Sequence, residues 1–281
     1  MSNKQKGWLK AGFTTLPDGV IRVAHSFSDL IEPWCKIDIP DYLARIDHSL
    51  AIADRDAYEK ELKALEVEFN LLVRQLVDAE MSLIVVFQGR DGSGKTGATM
   101  RITEAVGFDF KLFQSVPIGP PSQEELDHGY LWRFGRYERM PAFGQVRVLD
   151  RSWAERVLVE RVMKLTNKKA IRASYAEIRA HEWLLARQGA VVVKLWLDIT
   201  KGEQKKRFKA RRADKPWKVS DSDAIARAHW NDYTPAANEL FHRTGTDFAP
   251  WFLISSEDKR YSRIVVLRVL NEQMRQALNQ S

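Results

Sequence analysis

Ser82-Leu-Ile-Val-Val-Phe-Gln-Gly-Arg-Asp-Gly-Ser-Gly-Lys-Thr96 is the stretch of this 281-residue chain that decides its fold. Leu83 to Phe87 form an unbroken apolar run, long enough for a buried strand and too short for a helix. The run leads directly into Gly89-x-x-x-x-Gly94-Lys95-Thr96, the spacing of a phosphate-binding loop. From Thr96 to about Ala105 the composition is helical. Strand, glycine turn and helix N-terminus stand in the order that phosphate binding requires. Gly89, Gly92 and Gly94 let the backbone curl closely around an anion. The first N–H groups of the helix and its dipole then face that anion. Lys95 adds a point charge, and Thr96 offers a hydroxyl to Mg²⁺. A glycine-rich turn that binds nothing is the alternative, and the flanking strand and helix argue against it.

Outward from this loop, strand and helix patterns alternate. Before it, Tyr58, Leu62, Leu65, Phe69, Leu72 and Leu76 recur at alternating spacings of four and three, which predicts a helix over 54–79 with one apolar stripe. That stripe is too short for a free coiled coil; it packs on its own domain or, on the sharper reading, on another subunit. Residues 37–46 read as an extended piece leading into a helix. After the loop, strands are expected at 110–116, 145–150, 190–197 and 251–254. Helices are expected at 122–136, 153–165, 168–187, 200–212, 221–242 and 259–278. Ser122 with Glu125 three residues on is a capping box. Continuous apolar strands alternating with helices imply a parallel sheet covered on both faces.

The net charge is +7, which points to a polyanionic partner or to a merely basic surface. The charge is concentrated in Lys201-Gly-Glu-Gln-Lys-Lys-Arg-Phe-Lys-Ala-Arg-Arg212, with Lys215 and Lys218 beyond. Few acids balance that run, and it follows directly on a strand, so it reads as a phosphate clamp more readily than as a solvated helix face. Cys35 is the single cysteine; it forms no intrachain disulfide, and a reducing, cytoplasmic setting is the expectation. No apolar run approaches the roughly 18 residues that span a membrane, and no secretory leader is visible at the N-terminus.

Two carboxylates stand near the phosphate loop. Asp91 lies inside it, where a negative charge facing a phosphate is costly unless a cation intervenes; its alternative role is a turn cap. Asp150 ends the strand Val146-Arg-Val-Leu-Asp150, at the carboxyl edge where ligands of parallel sheets sit. It reads as a second magnesium anchor, with a helix cap as the alternative. Arg151 then points where a phosphate would be. Arg133 and Arg136, in Tyr130-Leu-Trp-Arg133-Phe-Gly-Arg136, suit either a base and phosphate or the surface of a core tryptophan.

These motifs, taken in order, resemble the polyphosphate kinase 2 family. The likeness runs through Gly89-Arg-Asp-Gly-Ser-Gly-Lys95, Glu124-Glu-Leu-Asp-His-Gly-Tyr-Leu-Trp-Arg133, Asp150-Arg-Ser-Trp153, Val157-Leu-Val-Glu-Arg161 and Arg207-Phe-Lys-Ala-Arg211. It continues through Trp217-Lys218, Trp230-Asn-Asp-Tyr233 and Ala249-Pro-Trp251 to Asp258-Lys259-Arg260. The resemblance implies an α/β protein: a three-layer α/β/α P-loop kinase with a parallel sheet and a helical lid at about 200–220. It implies an N-terminal extension over 1–54 before a kinase domain over 55–281. Phosphoryl transfer between inorganic polyphosphate and a nucleotide is implied, with Mg²⁺ on Asp91 and Asp150. Gly89, Gly92, Gly94, Lys95 and Arg133 would bind phosphate groups, beside the Mg²⁺-directed hydroxyl that the loop pattern gives Thr96, and Arg151, Arg207 and Arg211 would neutralise transferring charge. The motif forms are most similar to the AMP-phosphorylating subgroup, with ADP second and GMP or GDP as further acceptors. A homo-oligomer with no nucleic-acid or membrane partner is expected. Thr96, Ala154-Glu155 and the short linker Arg212-Ala-Asp-Lys-Pro-Trp217 depart from the family's usual forms. Gly89-x-Asp-Gly-x-Gly-Lys-Thr96 also resembles thymidylate kinases, so an ATP-dependent nucleoside monophosphate kinase is the alternative.

Overall fold

The structure, a computed structural model, describes residues 12–26, 38–214, 216–218, 225 and 227–280. Cys35, Ile37, Lys215 and residues 219–224, on which some of those expectations fall, lie outside the described residues.

A seven-stranded sheet runs in the order β1-β2-β7-β6-β3-β5-β4. The strands are β1 Phe13–Thr15, β2 Ile21–Val23, β3 Ser82–Gly89, β4 Phe113–Pro117, β5 Val146–Asp150, β6 Ala190–Asp198 and β7 Trp251–Ser255. The helices are α1 Arg55–Asp78, α2 Lys95–Ala105, α3 Gln123–Leu126, α4 Val159–Val162, α5 Lys168–Arg187, α6 Lys201–Asp214, α7 Trp230–Thr244 and α8 Lys259–Leu278. β3 is the hub, parallel to β5 on one side and β6 on the other. Its alternate residues face opposite layers, as a pleated strand requires. Leu83, Val85 and Phe87 pack under α1, α2 and α8, whereas Ile84 and Val86 pack under α5 and α7. Because both faces are covered, the run reads as continuously apolar.

The apolar stripe of α1 packs on its own domain. Tyr58, Leu62, Phe69, Leu72 and Leu76 are buried, and Arg268 and Arg275 of α8 pair with Glu61 and Glu68 along the seam. Asp54 caps the helix by accepting from the N–H groups of Asp56 and Ala57.

The parallel-sheet expectation needs correction at one edge. β1 and β2 form a hairpin that joins β7 antiparallel, so the sheet is parallel through the five strands from β7 to β4 and mixed overall. Two expected helices shrink. Over 122–136 only Gln123–Leu126 is α-helical, opened by the Ser122/Glu125 capping box; Asp127, His128 and Gly129 then favour a turn over helix. Over 153–165 a 3-10 turn at Trp153–Arg156 is followed by the single α turn of α4. Trp153 is held there by Glu182 and Arg161 by Glu239 and Tyr175, contacts that override local propensity. β4 begins at Phe113 because Asp109 caps a turn at the N–H groups of Lys111 and Leu112. Among 38–46 only Leu43–Arg45 is helical, as one 3-10 turn.

Candidate active site

β3 and β5 both end at the same sheet edge, with Phe87 beside Asp150 in register. The chain reverses order there, since β6 lies on the other side of β3, and such a switch point opens a crevice for ligand. The loop Gly89–Lys95 fills its mouth. Gly89, Gly92 and Gly94 have φ of 139°, 83° and 104°, a region closed to most side chains. A Cβ on Gly89 would stand 2.2 Å from the Leu197 carbonyl oxygen, so that glycine also serves close strand packing.

Lys95 opens α2. Its Nζ donates to the carbonyls of Gly89 (3.2 Å) and Arg90 (3.3 Å) and lies 3.9 Å from Asp91. Arg151 adopts φ of 70°, a left-handed conformation that costs an arginine about 1–3 kcal/mol. Its guanidinium reaches Asp91 at 3.8 Å and Glu155 at 3.8 Å. Burial works against the charge on Arg151, yet Glu155, Asp91 and Asp150 outweigh it and raise its pKa. Burial pushes the Glu155 carboxyl upward in turn, against the pull of Arg151 and Lys95.

Two cavities meet at Asp91, Lys95 and Arg151. The wider, about 660 Å³, is lined by Lys95, Arg151, Arg207, Arg211, Lys259 and Arg263 against Asp91, Asp150 and Asp214. The smaller, about 260 Å³, is lined by Gln88, Glu155, Tyr233, Trp196 and the apolar side chains of Leu158, Val159, Met163 and Ile225.

Of the residues expected from sequence, Asp91, Gly92, Gly94, Lys95, Thr96, Asp150, Arg151, Arg207 and Arg211 line the wider cavity, and Gly89 lines the smaller. Arg133 lines neither. It donates to the Gly119 carbonyl at 2.9 Å and pairs with the buried Glu125 at 3.2 Å. Trp132 is stacked on His128 and lies beneath Arg136. Arg207 borders the cavity, but its N–H groups go to four backbone carbonyls and Glu203.

Lys259 and Arg263 escaped the sequence reading as site residues. The signal was present: Asp258 caps α8 just after β7, and two cations follow at a four-residue interval. Asp91 and Asp150 are the expected carboxylate ligands for a metal, and among the described residues no group of three or more His, Cys, Asp or Glu could hold a metal ion. A pair of carboxylates fits Mg²⁺, which is commonly held by one or two carboxylates plus substrate phosphates.

The family description "Polyphosphate kinase 2 (PPK2)" matches residues 52–281. The chain belongs to the polyphosphate kinase 2 family. A Pseudomonas aeruginosa polyphosphate:AMP phosphotransferase is 39% identical over 221 residues, covering 78% of this chain and 44% of that protein. An ADP-polyphosphate phosphotransferase 2 of Rhizobium meliloti is 34% identical over 84% of this chain and 76% of its own. The crystal structure of polyphosphate kinase 2 from Arthrobacter aurescens TC1 superposes with a TM-score of 0.77 at 30% identity, covering 90% of each chain. The chain spans about half the length of the AMP-named relatives it matches. The three-layer P-loop kinase fold is thus that of the family, with the β1–β2 hairpin on its edge. Among the described residues no helix is long and apolar enough to cross a membrane.

Proposed function

We propose that the chain transfers a phosphoryl group between inorganic polyphosphate and a nucleotide, with AMP the first acceptor and ADP the second. The observation that carries this reading is the pair of unlike cavities sharing Asp91, Lys95 and Arg151. Phosphoryl transfer needs a donor and an acceptor in line across one set of positioned charges. The wide cationic cavity suits a phosphate chain, and the smaller one, with aromatic and apolar walls, suits a nucleoside. Lys259 strengthens the argument. It stands in the first turn of α8, where the helix dipole disfavours a cation, and burial with Arg207 and Arg263 nearby depresses its pKa. A bound polyanion offsets both costs.

In this reading the acceptor's phosphate oxygen attacks the terminal phosphorus of the chain, and the bond to the bridging oxygen breaks. Lys95 leaves the Gly89 and Arg90 carbonyls for the transferring group. Arg151 spans the two cavities and neutralises charge as it shifts. Arg211, Lys259 and Arg263 hold the rest of the chain. Asp91 and Asp150 would hold Mg²⁺, which supplies charge neutralisation between phosphates. The names of the relatives support AMP and ADP as acceptors, and family membership favours polyphosphate over ATP as donor. A homo-oligomer and a cytoplasmic setting belong to the same proposal.

The test is direct. Pure protein is incubated with polyphosphate, Mg²⁺ and each of AMP, ADP, GMP and GDP, and the products are resolved. ADP formed from AMP is the expected result. Turnover with ATP as donor but none with polyphosphate would return the protein to the nucleoside monophosphate kinase reading.

A further inference from the structure

A phosphate-binding loop works with its N–H groups, so its carbonyls must find partners on the other side. Here every carbonyl from Gly89 to Ser93 accepts a side-chain hydrogen bond. Lys95 supplies Gly89 and Arg90. Gln204 Nε2 supplies Asp91 at 2.9 Å. Arg207 Nη1 supplies Gly92 at 2.9 Å and Ser93 at 3.1 Å. The second terminal nitrogen of Arg207 donates to Ser256 at 2.6 Å and Glu257 at 2.9 Å, and its Nε goes to Glu203 at 2.7 Å. The Arg207 side chain is only 9% exposed. Its donor capacity is five N–H groups in a rigid fork, and these five contacts use it fully.

We propose that Arg207, with Gln204 beside it, is a positioning residue that holds the phosphate-binding loop from behind and makes no phosphate contact itself. The inference rests on the phosphate-binding reading of that loop. In a trans peptide the C=O of one residue points opposite to the N–H of the next. Anchoring the Asp91 carbonyl on Gln204 therefore turns the Gly92 N–H the other way, and anchoring Ser93 turns the Gly94 N–H. Arg207 also ties three segments together: the loop, the turn after β7, and α6 through Glu203. A lysine at this position would keep the charge but offers three donors from a single point, which cannot replace five contacts spread along a fork.

The test separates a strut from a phosphate ligand. Equilibrium binding of inorganic tripolyphosphate is measured on wild type, Arg207→Lys, Arg207→Ala, Gln204→Leu and Arg211→Ala, at several salt concentrations, with kcat and KM alongside. A strut predicts that Arg207→Lys loses affinity about as severely as Arg207→Ala, roughly tenfold each, because the fork and not the charge matters. Both keep the wild-type slope of log affinity against log salt, whereas Arg211→Ala lowers that slope by about one contact. Gln204→Leu moves in the same direction as Arg207→Ala by a smaller factor, again with unchanged slope, and it carries the test with Arg207→Lys if Arg207→Ala does not fold. The proposal is overturned if Arg207→Lys binds like wild type, or if Arg207→Ala reduces the salt slope. A wild type that binds tripolyphosphate and yet turns over no nucleotide would refute the polyphosphate reading, while the same variants would still decide the role of Arg207.

Discussion

Lys194→Met is expected to be among the most damaging single substitutions outside the two cavities. Lys194 lies in the middle of β6 and is fully buried, as is Glu182 of α5. Its Nζ donates to Glu182 at 2.6 Å and to the Thr244 carbonyl at 2.6 Å. The other oxygen of Glu182 accepts from the Trp153 indole at 2.8 Å. Burial pushes the Glu182 carboxyl up and the Lys194 ammonium down, and each partner opposes the shift in the other. Removing one member of such a pair leaves an uncompensated buried charge, at about 3–5 kcal/mol. At roughly 2–4 °C per kcal/mol for a large domain, Tm should fall by about 6–20 °C. The double variant Lys194→Met/Glu182→Gln removes the charge and keeps an acceptor for Trp153, so it should recover at least half of the loss. The sign with pH follows from burial. A carboxyl whose folded pKa is raised contributes its stability below the unfolded pKa and loses it as pH rises through the folded value. The deficit of the single variant should therefore shrink in acidic buffer and grow in alkaline buffer. Thermal melts of wild type, single and double variants across pH measure both effects. A double variant no more stable than the single, with no pH trend in the gap, would refute the buried-charge argument. Activity should fall too, because Trp153 anchors the turn that follows the left-handed Arg151.

Lys95→Ala should lower kcat/KM by about a hundredfold or more with the fold retained, because the loss of one preorganised donor costs about 3–4 kcal/mol in the transition state; activity within threefold of wild type would remove Lys95 from the site. Asp91→Asn and Asp150→Asn should each raise the Mg²⁺ concentration needed for half-maximal rate, and an unchanged magnesium titration would mark that residue as a turn or helix cap. Apparent polyphosphate affinity should fall steeply with salt, as counterion release requires, and a response no steeper than that of ATP would count against a long polyanionic donor. Burial, with His25 and Arg243 nearby, lowers the His242 pKa from 6.5 to about 4. The folded state thus binds fewer protons than the unfolded one in that interval, and stability should be lost as pH falls through it. His242→Gln should flatten that part of the pH–stability curve, and an unaltered curve would assign the acid sensitivity elsewhere.

The sheet's centre was legible because its strands are buried on both faces and therefore mostly apolar: β3, β5, β6 and β7 lie at the expected positions within two residues. The β1–β2 hairpin was not, since three-residue strands at an edge carry no periodicity to read, and the pairing of Ile21–Val23 with Trp251–Leu253 is a contact between residues far apart in the chain. The short α3 and α4 were overcalled for the opposite reason. The composition permits helix in both, but α3 stops where Asp127, His128 and Gly129 turn the chain, and around α4 Glu182, Tyr175 and Glu239 recruit Trp153 and Arg161 into tertiary contacts that no local pattern announces. Lys194 shows the same limit. A lysine interrupting an apolar strand is visible in the sequence, whereas the glutamate that satisfies it stands on another element.

At the site, residue type and position were readable but the division of labour was not. Asp91, Lys95, Asp150 and Arg151 follow from the rule that ligands gather at strand carboxyl ends, because both strands end at one edge. The basic helix α6 is different. Its sequence offers Arg207 and Arg211 as equivalent cations four residues apart, on the same helical face. What separates them is depth: Arg207 lies where the turn after β7 approaches the loop, so Ser256 and Glu257 present carbonyls to it, while Arg211 lies one turn further along α6, where it lines the wider cavity and stacks over Phe208. A phosphate and a row of carbonyls both call for an arginine fork, and a sequence records only the fork. The arginines of a basic helix therefore cannot be apportioned between ligand and scaffold by counting charge. The distinction appears only when each carbonyl of the phosphate loop is matched to its donor; in the proposed reading Arg207 then serves the loop, and Arg211, Lys259 and Arg263 of the wider cavity serve the phosphate chain.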